Sequence, residues 1–265
     1  MENETIITQK ATMGAGTTQI GVQNNYGITA EKAFDLAIKL FEDNFPKLQE
    51  DARNIAKERA EELFRDILAK FKEQGKIEFD EFIDPDVQYA LNKAQQEYAR
   101  FGTDKLHDLL RDIVVNRVNY DNDYYIKIVL DESLDIAKSL SEEHLNYISL
   151  IFLSKQIKDD SIKSIENLKE HCEYICSKLP ITASIKNSIP FLNMLRLLII
   201  SLGSVEERYS KIYGFDIDKV KEILPLEMNS ISRDYVLTPV GVSIAIIHIR
   251  NKTGLDLDFK ELIQR

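Results

Sequence analysis

The chain has 265 residues, 44% apolar and 29% charged, with only 10 Gly and 6 Pro. This is ordinary globular composition, with length enough for one large domain or two small ones around a buried core. Its net charge of −10 speaks against holding a nucleic-acid backbone through bulk charge, because phosphate binding needs a local excess of cations. The opening MENETIITQK lacks the basic start and apolar run of a secretion signal. The longest apolar runs, 191–200 and 240–249, reach about half of the roughly 20 residues a membrane span needs, and a cytoplasmic protein is expected.

Residues 1–28 come before any helical periodicity. They are rich in Thr, Gly, Gln and Asn, and read as an extended or disordered segment. Within them, GTTQIGVQNNYG (16–27) carries no charge and no proline. Ile20 and Val22 alternate onto one face, and Gln19, Gln23, Asn24 and Asn25 supply amides that can stack along a β-fibril axis. Thr18, Gly21 and Tyr26 complete a candidate assembly motif, with Gly21 allowing close approach of sheets.

Residues 29–75 read as a long amphipathic helix or a helix pair. Thr29 is the expected N-cap, and Pro46 marks a break or a kink. Phe34, Ile38, Phe41, Phe45, Leu48, Ile55, Leu63, Ile67 and Phe71 recur mostly every three or four residues. They form a candidate packing or oligomerisation face. Residues 76–205 continue as a helical body. Asp84 as N-cap, Pro85 at the first position and Gly102 after the last turn bound one helix. Thr103 starts the next, with Leu106, Leu109, Leu110, Ile113 and Val114 on one face. Ser141 and His144 mark a capping-type start further on, and helices are expected over 160–179 and 189–202. Residues 206–265 change character: a short helix over 213–225, a strand in DYVL (234–237), then a helix opened by Thr238 and Pro239 and closed by Gly254. This strand-to-helix step reads as a small winged-helix-like end on an otherwise all-α fold.

No catalytic constellation stands out. The glycines of MGAGTTQIG are followed by no Lys-Ser/Thr pair, and neither G-x-S-x-G nor H-E-x-x-H occurs. Cys172 and Cys176 lie four apart on one predicted helix and form no disulfide framework. With His171 beside them they read as small half-buried thiols rather than metal ligands. The acidic groups Asp80, Glu81, Asp84, Asp86 and Asp121, Asn122, Asp123 read as helix N-termini. Tyr120, Tyr124 and Tyr125 read as packing and surface residues. No catalytic residue, cofactor or metal is therefore expected.

Two resemblances bear on function. QIGVQN (19–24) resembles the core of the RHIM, the short amyloid-forming motif of animal necroptosis adaptors and of bacterial relatives in phage defence. Gln19, Ile20, Gly21 and Asn24 match that core and Tyr26 matches its following aromatic, while Thr18 stands where the pattern has an aliphatic residue. The body over about residues 30–255, with DPDVQYALNKAQQEYARFGTDKLHDLLRDIVVNRV, LSEEHLNYISLIF and YVLTPVGVSIA in that order, is similar in organisation to the Abi-alpha family. It is similar also to an uncharacterised group of bacterial all-α proteins. The first resemblance implies homotypic or heterotypic β-stacking. The second implies a context of abortive infection and transfers no catalytic residue.

The expectation is a non-enzymatic signalling or scaffold component of bacterial antiviral defence. Its partners are itself and a protein with a similar N-terminal motif, with no nucleic acid, and with membrane contact only after activation. The rival readings are a finite homo-oligomeric binding module built on the Phe34–Phe71 face, and a membrane-acting effector using 191–200 and 240–249. Weakest is a nucleic-acid binder supported only by Arg233, His248, Arg250 and Lys252.

Overall fold

The computed structural model describes residues 29–44, 50–75, 80–120, 122–201, 203–229, 231, 234–255 and 257–263. The fold is all-α, with one small two-stranded sheet among the described residues.

Helices α1 (Ala30–Asn44), α2 (Glu50–Glu73) and α3 (Pro85–Phe101) pack on one another as the first layer. Small residues let them approach closely: Ala33 and Ala37 on α1, Ala56 and Ala60 on α2, and Ala90 and Ala94 on α3 are all buried. Aromatic rings fill the far end. Phe64 meets Phe34 at 5.9 Å between centroids and Phe82 edge-on at 5.5 Å, and Phe71 meets Phe82 at 5.9 Å.

Most of the expected apolar face is used here. Ile38, Phe41, Leu63, Ile67 and Phe71 are buried, and Phe34 is half-buried against the core. Ile55 is a correction, being 50% exposed. The buried seam of α2 runs through Ala56, Ala60, Leu63, Ile67 and Phe71. A neighbouring position on a helix lies about 100° around the axis, which carries Ile55 off that seam. Phe45 and Leu48 lie outside the described residues, as does Pro46.

The second layer is built around the helix that comes late in the chain, α12 (Pro239–Thr253). It packs against α4 (Asp104–Asn119), α5 (Tyr124–Ile136) and α6 (Glu142–Lys155). Every residue from Gly241 to Ile249 is buried, as an all-round apolar helix requires. Two hydroxyls meet inside this packing: Ser133 of α5 and Ser243 of α12 lie 2.5 Å apart. Each also has a carbonyl of its own helix within reach, Val129 O at 2.7 Å and Val240 O at 2.9 Å, so that one hydroxyl can donate to its carbonyl while the other donates across the pair.

The expected caps form. Asp84 accepts from the N–H of Asp86 at 2.8 Å, and Gly102 adopts φ 58° at the end of α3. Thr103 precedes α4 in extended geometry but makes no side-chain cap bond. Ser141 and His144 form a reciprocal capping box, with Ser141 Oγ accepting from His144 N–H at 3.1 Å and His144 Nδ1 accepting from Ser141 N–H at 3.2 Å.

Three expectations on the rest of the chain change. Helix α7 begins at Ile165, where Ser164 accepts from Asn167 N–H, and not at 160. The expected helix over 189–202 splits into α8 (Ile189–Met194) and strand β1 (Leu198–Ile200). Arg196 takes the left-handed conformation at φ 57° between them and ends the helix. The strand expected in DYVL forms as β2 (Tyr235–Leu237) and pairs antiparallel with β1, Ile199 opposite Val236. Because β1 precedes residue 206 and α12 lies among α4, α5 and α6, this strand-to-helix step belongs to the body's packing. Helices α9 (Val205–Tyr213), α10 (Ile217–Ile223) and α11 (Leu226–Asn229) pack around α6 and α7 (Ile165–Lys178), and α13 (Phe259–Ile263) packs on α12.

Candidate functional site

The assembly residues Thr18, Gln19, Ile20, Gly21, Val22, Gln23, Asn24, Asn25 and Tyr26 lie outside the described residues. The chain enters the described fold at Thr29, whose hydroxyl accepts from Lys32 N–H at 3.3 Å and starts α1.

The titratable groups picked out in sequence have structural duties. Arg117, 1% exposed, gathers Asp86 at 2.5 Å and Asp131 at 2.8 Å, tying α3, α4 and α5 together. The hydrogen bond from Lys127, together with Arg117, holds the Asp86 carboxyl below its ordinary value. Asp123 caps α5 by accepting from Ile126 N–H at 3.3 Å, and it pairs with Lys260 at 3.1 Å. Tyr124 and Tyr125 are exposed, while Tyr120 stacks on Phe259 at 5.7 Å. Cys172 and Cys176 are free, buried thiols, each pushed up to about 12 by burial. His171 turns instead to Asp159, at 3.3 Å. Among the described residues, no group of three His, Cys, Asp or Glu is arranged to hold a metal ion.

Two features went unseen in the sequence. The first is a buried polar seam between α4, α6 and α12. The amide of Asn146 donates to Pro180 O at 2.9 Å, so its oxygen faces His248 Nε2 at 2.8 Å and accepts from it. Burial drives His248 down to about 4. Nearby, Asn251 donates to Asp112 at 2.8 Å, and Arg111 grips Asp112 through Nε and Nη2, both at 2.9 Å.

The second is a cleft with two ends. Its larger end, about 640 Å³, is lined by apolar groups of Phe152, Pro239, Val242 and Leu262. Its smaller end, about 490 Å³, is lined by Ser201, Ser204, Glu207 and Lys211. Lys155 and Arg208 line both. Lys155 is 6% exposed and donates to Tyr235 O at 3.1 Å. Its neighbour Gln156 bonds the same free edge of β2, the edge away from β1, accepting from Leu237 N–H at 2.8 Å and donating to Leu237 O at 3.5 Å. Burial lowers the pKa of both Lys155 and Arg208 from their ordinary values.

A family model described as ":-like" matches residues 27–225. The chain belongs to that family. The matched region begins directly after Tyr26 and carries α1 to α10 together with β1, so Lys155, Arg208 and Lys211 fall inside it. The apolar wall built from Pro239, Val242 and Leu262 falls beyond it. No curated protein matches the chain, and no solved structure does.

Proposed function

We propose that the protein is a non-enzymatic signalling or scaffold component of bacterial antiviral defence that self-assembles through residues 18–26. The observation that carries this reading is the uncharged TQIGVQNNY core, with its apolar alternation and its amides, directly ahead of a helix fixed to the body. The resemblance to the RHIM core and to the Abi-alpha organisation supports the defence context. The helical body supplies the sensing or output surface, and assembly raises its local concentration.

The rival reading, a finite oligomer built on the Phe34–Phe71 face, is disfavoured by a specific observation. Ile38, Phe41, Leu63, Ile67 and Phe71 are spent on packing within one chain, Phe34 is half-buried against the same core, and of the described positions only Ile55 is exposed.

The test compares the full chain with a Gln19→Ala, Ile20→Ala, Gly21→Ala variant by thioflavin fluorescence and light scattering, and in cells by protection against phage. The proposal expects large thioflavin-positive species and protection from the parent alone. Equal, finite species from both, with equal protection, would remove residues 18–26 from the mechanism.

A further inference from the structure

We propose that the cleft between α6, α9 and α12 is a binding site for a small amphiphilic anion, one with an apolar body and a single carboxylate or phosphate head. The proposal does not rest on the assembly reading of residues 18–26.

The division of the cleft sets the shape of the ligand. The wall formed by Phe152, Pro239, Val242 and Leu262 offers apolar surface and few polar groups, as ligand cavities of several hundred Å³ do. The opposite end offers Ser201, Ser204 and Lys211. The two cations stand at the junction, where the head of an amphiphile with its body in the apolar end would lie.

Arg208 gives the sign of the head. Its Nη2 has one long bond to Ile157 O at 3.4 Å, and its Nε is sealed from solvent with no acceptor. Among the described residues the groups that act on it through space are the phenols of Tyr209 and Tyr213, and no carboxylate is among them. The sealed Nε is out of a ligand's reach, but an anion placed against the part of the guanidinium that lines the cleft makes charge-assisted bonds that the single long bond to Ile157 O does not supply. The nearest acidic side chain on the same helix, Glu207, is committed to its own cap, accepting from Ser204 N–H at 2.8 Å. Asp234, Glu206 and Glu207 act on Lys155 through space, and Arg208 opposes them. Lys155 is therefore the partly balanced cation and Arg208 the one with charge to offer. Lys211, exposed on the rim, adds attraction without desolvation.

The experiment is calorimetric titration of the full chain with octanoate, octyl phosphate and octanol, which share one apolar body and differ in the head. The expected result is saturable binding of one anion per chain, at least tenfold tighter than octanol. The better of octanoate and octyl phosphate then identifies the head. Arg208→Gln is expected to weaken the anion at least tenfold while leaving octanol unchanged. Lys211→Glu, on the surface and outside any core contact, is expected to weaken the anion severalfold and keeps the test open should Arg208→Gln fail to fold. Equal affinity for octanol and the anions, unchanged anion affinity in the variants, or no saturable binding of any probe would overturn the proposal.

Discussion

His248 makes the protein sensitive to mild acid, by an amount that follows from its surroundings. The ring is 6% exposed, its Nε2–H is used on Asn146, and burial places its folded pKa at about 4 against an ordinary 6.5. Glu142 pulls that value up, while Lys105 and Lys252 push it down. A depressed folded pKa means that the unfolded chain takes the proton first. Below pH 6.5 the unfolded state binds more protons than the folded one, so stability present above pH 6.5 falls as pH falls toward 4. The full loss is about 3 kcal/mol, from roughly 2.5 units at 1.36 kcal/mol each, and about 2 kcal/mol of it is gone by pH 5. His248→Gln keeps an N–H for Asn146 and removes the titration. Urea unfolding of both proteins at intervals from pH 8 to pH 4.5 measures the difference. His144 and His171, lowered by their own burial, are common to both proteins and cancel. The wild-type curve is expected to drop below its pH 8 value by about 2 kcal/mol more than the variant's at pH 5. Parallel stability curves for the two proteins would refute a buried, neutral His248.

Four further outcomes are expected. Arg117→Ala removes the group that joins Asp86 and Asp131 and leaves a hole, costing about 3 kcal/mol in denaturant unfolding, whereas Arg117→Met, which refills the space without a charge, recovers at least half. Gly241→Ala places a methyl 2.5 Å from Leu197 O where β1 meets α12, and costs about 1–3 kcal/mol because the obstacle is backbone and cannot swing away. Cys172 and Cys176 resist iodoacetamide in the native protein at pH 8 and react fully in denaturant, since burial pushes both thiols up to about 12. Ile55→Asp leaves stability within about 0.5 kcal/mol and leaves the mass in light scattering unchanged; a changed mass would mark the exposed face of α2 as a contact between copies.

Local signals were the legible part of this fold. Asp84 with Gly102, Ser141 with His144, and Thr238 with Gly254 mark helix ends through bonds that reach four residues at most, so neighbouring letters suffice. The run 191–200 was misread because a short apolar stretch looks alike as buried helix or strand; what decides is Arg196 turning left-handed, and that is settled by packing. The packing face of α2 was legible except at Ile55, because a spacing of threes and fours tolerates a drift of one position at the edge of the stripe. The cleft was not legible at all. Lys155 ends a helix in LSKQI and looks like any solvated lysine. Only the return of β2, some 80 residues later by the register of the fold, covers it. Arg208 likewise looks like one charge among several in VEERYSK, and its lack of a carboxylate partner is a fact of three dimensions.

The place of α12 at the centre of the second layer has a consequence for biosynthesis. Helices α4, α5 and α6 are made first, yet the groove they share is filled only by residues 239–253. At about 5–20 residues per second on the ribosome, roughly 100 residues of further synthesis leave that groove open for about 5–20 s. The layer of α1, α2 and α3 has all its partners early and can close during that interval. A nascent chain of this protein is thus half folded and half waiting, with the groove of α4, α5 and α6 uncovered until α12 arrives. That interval is when a holding chaperone has most to bind.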